Sequence, residues 1–171
     1  RILFLVDRKT LGKQTSDALD TTEIEGMLNF SQIYKVSGLD TRQPADEDRV
    51  QVATVQSMIA RILNEPDPAR RLTPGTFDCI IVDEAHRGYT LDAELSESEA
   101  GFRSIDDYQS AYRQILDHFD AVKVALTATP AQHTYEIFGR PVFHYGYRQA
   151  VVEGYLIDYL PPRRITTALA E

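Results

Sequence analysis

The chain reads as an α/β fold with a mostly parallel sheet covered by helices. Short apolar runs alternate with helix-periodic segments along the chain, the pattern of strands joined by right-handed helical crossovers. The strongest run, Cys79-Ile80-Ile81-Val82, shows no polar alternation, which suits a strand covered on both faces. It leads directly into Asp83, Glu84, Ala85 and His86, where open α/β sheets place their chemistry, beyond the carboxyl end of a strand.

In order, residues 2–6 form an apolar strand, followed by a helix over about 10–19 with Leu11, Ala18 and Leu19 inward. A second strand is expected at 33–36, ended by Ser37-Gly38, and a third at 50–54. The third runs into a helix whose Val55, Met58, Ile59, Ile62 and Leu63 fall at i, i+3, i+4, i+7 and i+8. Pro66, Pro68, Pro74 and Gly75 mark a loop before the central strand at 77–83. Residues 88–104 read as an exposed acidic loop, and 105–118 as a helix with Ile105, Tyr108, Tyr112, Ile115 and Leu116 on one face. Val122 to Leu126 form the next strand, closing on Thr127-Ala128-Thr129-Pro130. A short strand near 141–145 and a helix near 147–153 complete a domain spanning 1–154. Residues 155–171, with Pro161-Pro162 and Arg163-Arg164, read as a linker or the start of another unit.

The 171 residues suffice for one well-cored domain, and 43% hydrophobic with 26% charged residues fits an ordinary globular protein. No apolar run approaches the roughly 20 residues of a membrane-spanning helix, so no membrane partner is expected. The chain starts at Arg1 and goes straight into a strand, which reads as the middle of a longer protein. One cysteine, Cys79, excludes an internal disulfide framework and Cys-based zinc sites, and points to a reducing cytoplasm. A net charge of −8 weighs against gripping nucleic acid by bulk positive charge, although Arg8, Lys9 and Lys13 gather near the first strand end.

Successive side chains of an extended segment point to opposite faces, so Asp83 and Glu84 can do different jobs. One could hold a metal ion through its water shell while the other orients an attacking water, as metal-assisted phosphoryl transfer requires. The plainer alternative is an acidic strand end that caps the next turn. Thr127 to Thr129 end a second strand; if it neighbours the first, their hydroxyls lie beside His86. Alone, these residues are a Thr-Pro strand end and a packing histidine. Arg8 and Lys9 equally suit a solvated helix start, and Thr54 a helix cap. Nor do His118, His133 and His144 show metal-ligand spacing.

Asp83-Glu84-Ala85-His86 resembles the DEAH form of the Walker B box of superfamily 2 helicases and translocases, and Thr127-Ala128-Thr129 resembles their motif III. The run Leu5 through Gln14 is similar to motif Ia, and Ala53-Thr54-Val55-Gln56-Ser57 to the next DNA-backbone motif. Arg87 through Asp92, Tyr108 through Arg113, and Phe143 through Gly154 narrow the resemblance to the motor (R) subunit of type I restriction-modification enzymes. The resemblance implies a RecA-like P-loop NTPase domain, a three-layer α/β/α fold present here from motif Ia onward. By the same resemblance, Asp83 holds Mg²⁺ of MgATP through water and Glu84 polarises the attacking water. His86 with Thr127, Ala128 and Thr129 couples nucleotide state to DNA contact, while Arg8, Lys9, Thr54 and Gln56 touch the phosphate backbone of double-stranded DNA. The implied partners are the specificity and methyltransferase subunits, with cleavage by a separate nuclease domain.

One departure stands out. The only Gly-Lys is Gly12-Lys13, followed by Gln14, and Asp7 occupies the place of the first glycine, so the chain carries no Gly-x-x-x-x-Gly-Lys-Ser/Thr phosphate loop. That loop is expected upstream of Arg1 and the second RecA-like domain beyond Glu171, leaving this fragment inactive alone. Alternatives are another superfamily 2 helicase acting on DNA or RNA, a non-catalytic α/β interaction module, or a small-molecule-binding doubly wound domain.

Overall fold

A computed structural model describes residues 1–86, 105–130 and 132–159. The chain divides into two compact units, Arg1–Gly139 and Arg140–Glu171.

The first unit is built on a five-stranded sheet, order β4-β5-β1-β6-β7, formed by β1 (Ile2–Val6), β4 (Val36–Ser37), β5 (Val50–Thr54), β6 (Cys79–Val82) and β7 (Val122–Ala125). Every neighbouring pair in it is parallel. The helices are α1 (Lys9–Thr21), α2 (Phe30–Ile33), α3 (Val55–Leu63), α4 (Ile105–His118) and α5 (Gln132–Phe138). A small antiparallel pair, β2 (Glu23–Glu25) with β3 (Leu28–Asn29), follows α1. This is the mostly parallel, helix-packed sheet of a RecA-like α/β domain.

The pleat sorts the sheet into two faces. Leu3, Leu5, Ala53, Ile80 and Val82 share a core with Val55, Met58 and Ile62 of α3 and Tyr112, Ile115 and Leu116 of α4. Phe77 and Phe119 close its lower end, their rings edge to face at 5.1 Å. Val6, Val50 and Val52 are buried outside that core, and α1 packs on β1 and β5. Towards β7 the second face opens: Phe4 and Ile81 are half-buried, and Val122 is 67% exposed.

Helix α3 is set by Thr54, whose side chain accepts the Ser57 amide at 3.2 Å. Its buried stripe takes Arg61 in place of the expected Leu63, which is exposed. Burial and the nearby Arg42 lower the Arg61 guanidinium to about 10. In α1, Gly12 lies so close to Leu39 that a Cβ would sit 2.6 Å from its Cδ2. That glycine therefore serves helix packing, consistent with its exclusion as a phosphate loop.

Several expectations need correction. Ala18 is exposed, because the face of α1 that packs is centred on Gly12. The strand expected at 33–36 is a helical turn at Phe30–Ile33 followed by β4 at Val36–Ser37. A reciprocal capping box between Asn29 and Gln32 satisfies the local backbone there and overrides the β-propensity of Ile33 and Tyr34. The central strand is shorter than 77–83, and β2, β3 and α5 had no periodic signal strong enough to mark them. Residues 88–104 and the side chains of Ile105 and Tyr108 lie outside the described residues.

In the second unit the strand expected at 141–145 is absent, and α6 (Tyr147–Val152) matches the expected helix. Gly154, at φ +81°, ends it in the left-handed conformation that suits glycine, and the Tyr155 and Leu156 amides return to Ala150 O. Tyr147 donates to Ile157 O at 3.0 Å and accepts the Tyr159 amide at 3.1 Å, pinning the following segment.

Candidate functional site

Because the sheet is parallel, every strand ends at the same edge, and all the candidate side chains gather there. β6 lies between β1 and β7, in the register Leu5–Val82–Ala125. The chain leaves β6 through a turn tied to both neighbours. The Asp83 amide donates to Leu5 O at 3.1 Å and the Ala85 amide to Leu126 O at 3.0 Å. The buried Ala85 fixes the turn against the core.

Within this turn Asp83 is half-buried, and its Oδ1 accepts the Glu84 amide at 2.9 Å. Its Oδ2 has no hydrogen-bond partner among the described residues. Glu84 adopts φ +49°, a left-handed conformation that a non-glycine residue keeps only when its surroundings impose it. That backbone brings Glu84 Oε2 to 3.3 Å from His86 Nδ1. The same nitrogen lies 2.7 Å from Thr127 Oγ1, across the strand boundary. Thr127 Oγ1 also accepts the Thr129 amide at 3.2 Å. Asp83, Glu84, His86, Thr127 and Thr129 thus form one connected polar group; Ala128 is exposed beside it.

The residues expected to meet DNA lie at the ends of β1 and β5. Arg8 precedes α1 and sits 3.5 Å from Asp7, Lys9 is exposed at its first turn, and Gln56 is half-buried in the first turn of α3. Thr54 is buried and caps α3, the alternative open on sequence grounds. No hydrogen bond or ion pair among the described residues links this group to the carboxylates.

Asp7 was not singled out from sequence as a site residue. It is 4% exposed just past the carboxyl end of β1, the strand that pairs with β6. The signal was present, since Leu5-Val6-Asp7 repeats the apolar-run-then-carboxylate pattern of Ile81-Val82-Asp83.

Magnesium usually keeps several waters and takes one or two carboxylates plus substrate phosphates. Asp83, a single half-buried carboxylate with one oxygen occupied by a backbone amide, suits that outer role. No three His, Cys, Asp or Glu side chains among the described residues converge as an all-protein metal cage.

A family model described as "Type III restriction enzyme, res subunit" matches residues 1–132. The chain belongs to that family. It is 55% identical over its whole length to the type I restriction enzyme EcoKI endonuclease subunit of Escherichia coli (strain K12), covering 14% of that protein. Over 93% of its length it is 34% identical to the type I restriction enzyme EcoAI endonuclease subunit of Escherichia coli, covering 17% of it. The resemblance to type I R subunits seen in the motifs is therefore carried by the chain as a whole, while the chain spans under a fifth of either relative. No helix among the described residues is long and apolar enough to cross a membrane.

Proposed function

We propose that this chain is part of the ATP-dependent DNA translocase motor of a type I restriction endonuclease R subunit. In this reading the motor moves double-stranded DNA past a complex that includes specificity and methyltransferase subunits, in the cytoplasm, before a separate nuclease domain cuts. Residues 1–154 belong to the first RecA-like domain from motif Ia onward, and 155–171 to a linker or the start of the second.

The observation that carries the reading is the connected group Asp83–Glu84–His86–Thr127 at the carboxyl edge of two adjacent parallel strands. Asp83 would hold Mg²⁺ through water, and the ion would draw negative charge from the ATP phosphates. Glu84 would orient the attacking water and take its proton as the water oxygen bonds to the γ-phosphorus and the bond to ADP breaks. His86 and Thr127, bonded across two strands, would pass nucleotide state to the ends of β1 and β5. There Arg8, Lys9 and Gln56 would hold the DNA backbone without reading sequence, with Thr54 capping α3. Another segment of the longer protein would supply the phosphate loop. β7 favours this: among the described residues it is an edge strand, with Val122 67% and Val124 39% exposed, which a further strand and helix would cover.

The test is DNA-stimulated ATP hydrolysis by the full-length protein and its Glu84→Gln variant. Loss of roughly 10²- to 10⁴-fold is expected; equal rates would remove the catalytic assignment. Translocation is tested by ATP-driven displacement of a third strand from duplex DNA. Hydrolysis without displacement would leave another superfamily 2 ATPase.

A further inference from the structure

We propose that the β2–β3 hairpin is a docking prong. Met27 at its tip inserts into an apolar socket, rimmed by lysine or arginine, on another segment of the same longer polypeptide. This rests on the reading above that the chain is part of a long R subunit, and adds a contact remote from the nucleotide and DNA residues.

The hairpin closes through two residues, Gly26 and Met27, between Glu25 and Leu28, which pair across it. Both loop residues have positive φ, +54° and +65°, as the tight primed turns of hairpins require. Gly26 takes that conformation at no steric cost, whereas the Cβ of Met27 crowds the following carbonyl oxygen. Glycine, asparagine or aspartate is the ordinary choice for such a position. Here a methionine occupies it and is 86% exposed, with Ile24 52% and Leu28 46% exposed beside it. Backbone strain and apolar exposure thus coincide on one residue. Burial against a partner removes the second cost, and the flexible thioether side chain fits an irregular pocket.

The prong is held firmly at its base. Asn29, at the end of β3, accepts the Gln32 amide at 3.0 Å, and the Gln32 side chain accepts the Asn29 amide at 3.0 Å. The Asn29 side-chain amide also donates to Asp20 O in the last turn of α1. A tip presented in one conformation loses little freedom on docking.

Charge and position select the partner. Helix α1 runs back from the carboxyl edge of the parallel sheet, so the hairpin after it stands at the edge opposite Asp83 and Glu84. Asp20, Glu23 and Glu25 are exposed around it. These acids repel the phosphates of nucleic acid and complement lysine or arginine, so the partner is protein. Three apolar side chains fall well short of the roughly 1,000 Å² that holds a separate partner. A tethered socket needs far less, because it meets the tip at an effective concentration on the order of millimolar. The chain spans under a fifth of either relative, so most of such a subunit lies on the same polypeptide outside these residues.

The test places a photo-reactive diazirine amino acid at position 27 of the full-length subunit, assembled with its partner subunits, and maps the cross-links by peptide mass spectrometry. One dominant cross-link is expected, within the same polypeptide, outside residues 1–171 and beside a lysine or arginine. Glu25→Lys should cut its yield about threefold or more, and reversing the charge of the basic residue at the socket should restore it. Met27→Gly supplies a readout independent of cross-linking. Glycine relieves the left-handed strain, so a free tip would gain stability. A docked tip should lose it, lowering the first thermal transition of the full-length subunit by about 2 °C or more.

No cross-link, or one only to a second copy, to another subunit or within residues 1–171, would overturn the proposal. So would an unchanged yield in Glu25→Lys, a charge reversal that restores nothing, or an unchanged or raised transition in Met27→Gly. A full-length protein without DNA-stimulated ATP hydrolysis would overturn the motor reading instead, a result distinct from all of these.

Discussion

The ends of β6 and β7 and the ends of β1 and β5 lie on one edge of the same sheet, yet their polar residues are used differently. At β6 and β7 the side chains bond across strands, His86 to Thr127, around a residue whose backbone is strained. At β1 and β5 the polar side chains serve their own local chain: Thr54 caps the helix that follows it, and Arg8 sits against the preceding Asp7. Capping lowers the energy of the fold, whereas a left-handed glutamate raises it. A strained residue held in a cross-strand network is where the proposed chemistry would sit.

Substitutions on the two sides should therefore move activity and stability in opposite ways. The largest effect is expected for Glu84→Gly in the full-length protein. Glycine tolerates φ +49°, so the denaturant midpoint should hold or rise, by up to about 1 kcal/mol. ATP hydrolysis should fall by about 10²-fold or more. A clear loss of stability would show that the glutamate turn is structural.

At the end of β5 the sign reverses. Thr54→Ala should lower stability by about 1 kcal/mol through loss of the cap. Gln56→Ala, one helical position into α3, should change stability by less than about 0.5 kcal/mol. It should weaken DNA binding of the full-length protein by a similar factor for all sequences, measured by titration at fixed salt. Unchanged binding would leave the β5 end a purely structural one and sharpen the contrast with β6.

The smallest effect lies in the second unit, where polar contacts are exposed. The Tyr145 hydroxyl, and after it Gln149, holds the Glu153 carboxyl below its ordinary value of 4.5. A carboxyl whose folded pKa is depressed contributes stability above its unfolded pKa, and that contribution is lost as pH falls through the folded value. Tyr145→Phe should raise the Glu153 titration towards 4.5, read by NMR, with activity unchanged.

Much of this was legible in the residues themselves. The β5–α3 passage is local: an all-apolar run, a capping threonine and a 3.6-residue stripe, and the structure has β5 and α3 where that pattern puts them. The carboxylate turn after β6 was equally plain, since a buried run ending in Asp-Glu points to a strand end. Where two local signals competed, the sequence misled. Ile33 to Val36 favour extension, but the Asn29–Gln32 box costs less to form locally than pairing a strand at a distance.

By itself, then, the sequence determined the fold class, the order of most elements and the identity of the acids and hydroxyls. Only the tertiary structure decided which strands are neighbours, and with that which side chains meet. Residues 86 and 127 are 41 positions apart in the chain, and a 2.7 Å contact between them depends on β6 pairing with β7 in register. Periodicity reports which face of an element is buried, but not what it lies beside. The strained backbone of Glu84 was likewise invisible in the residues, because strain of that kind is imposed by surrounding contacts and not by the residue that bears it.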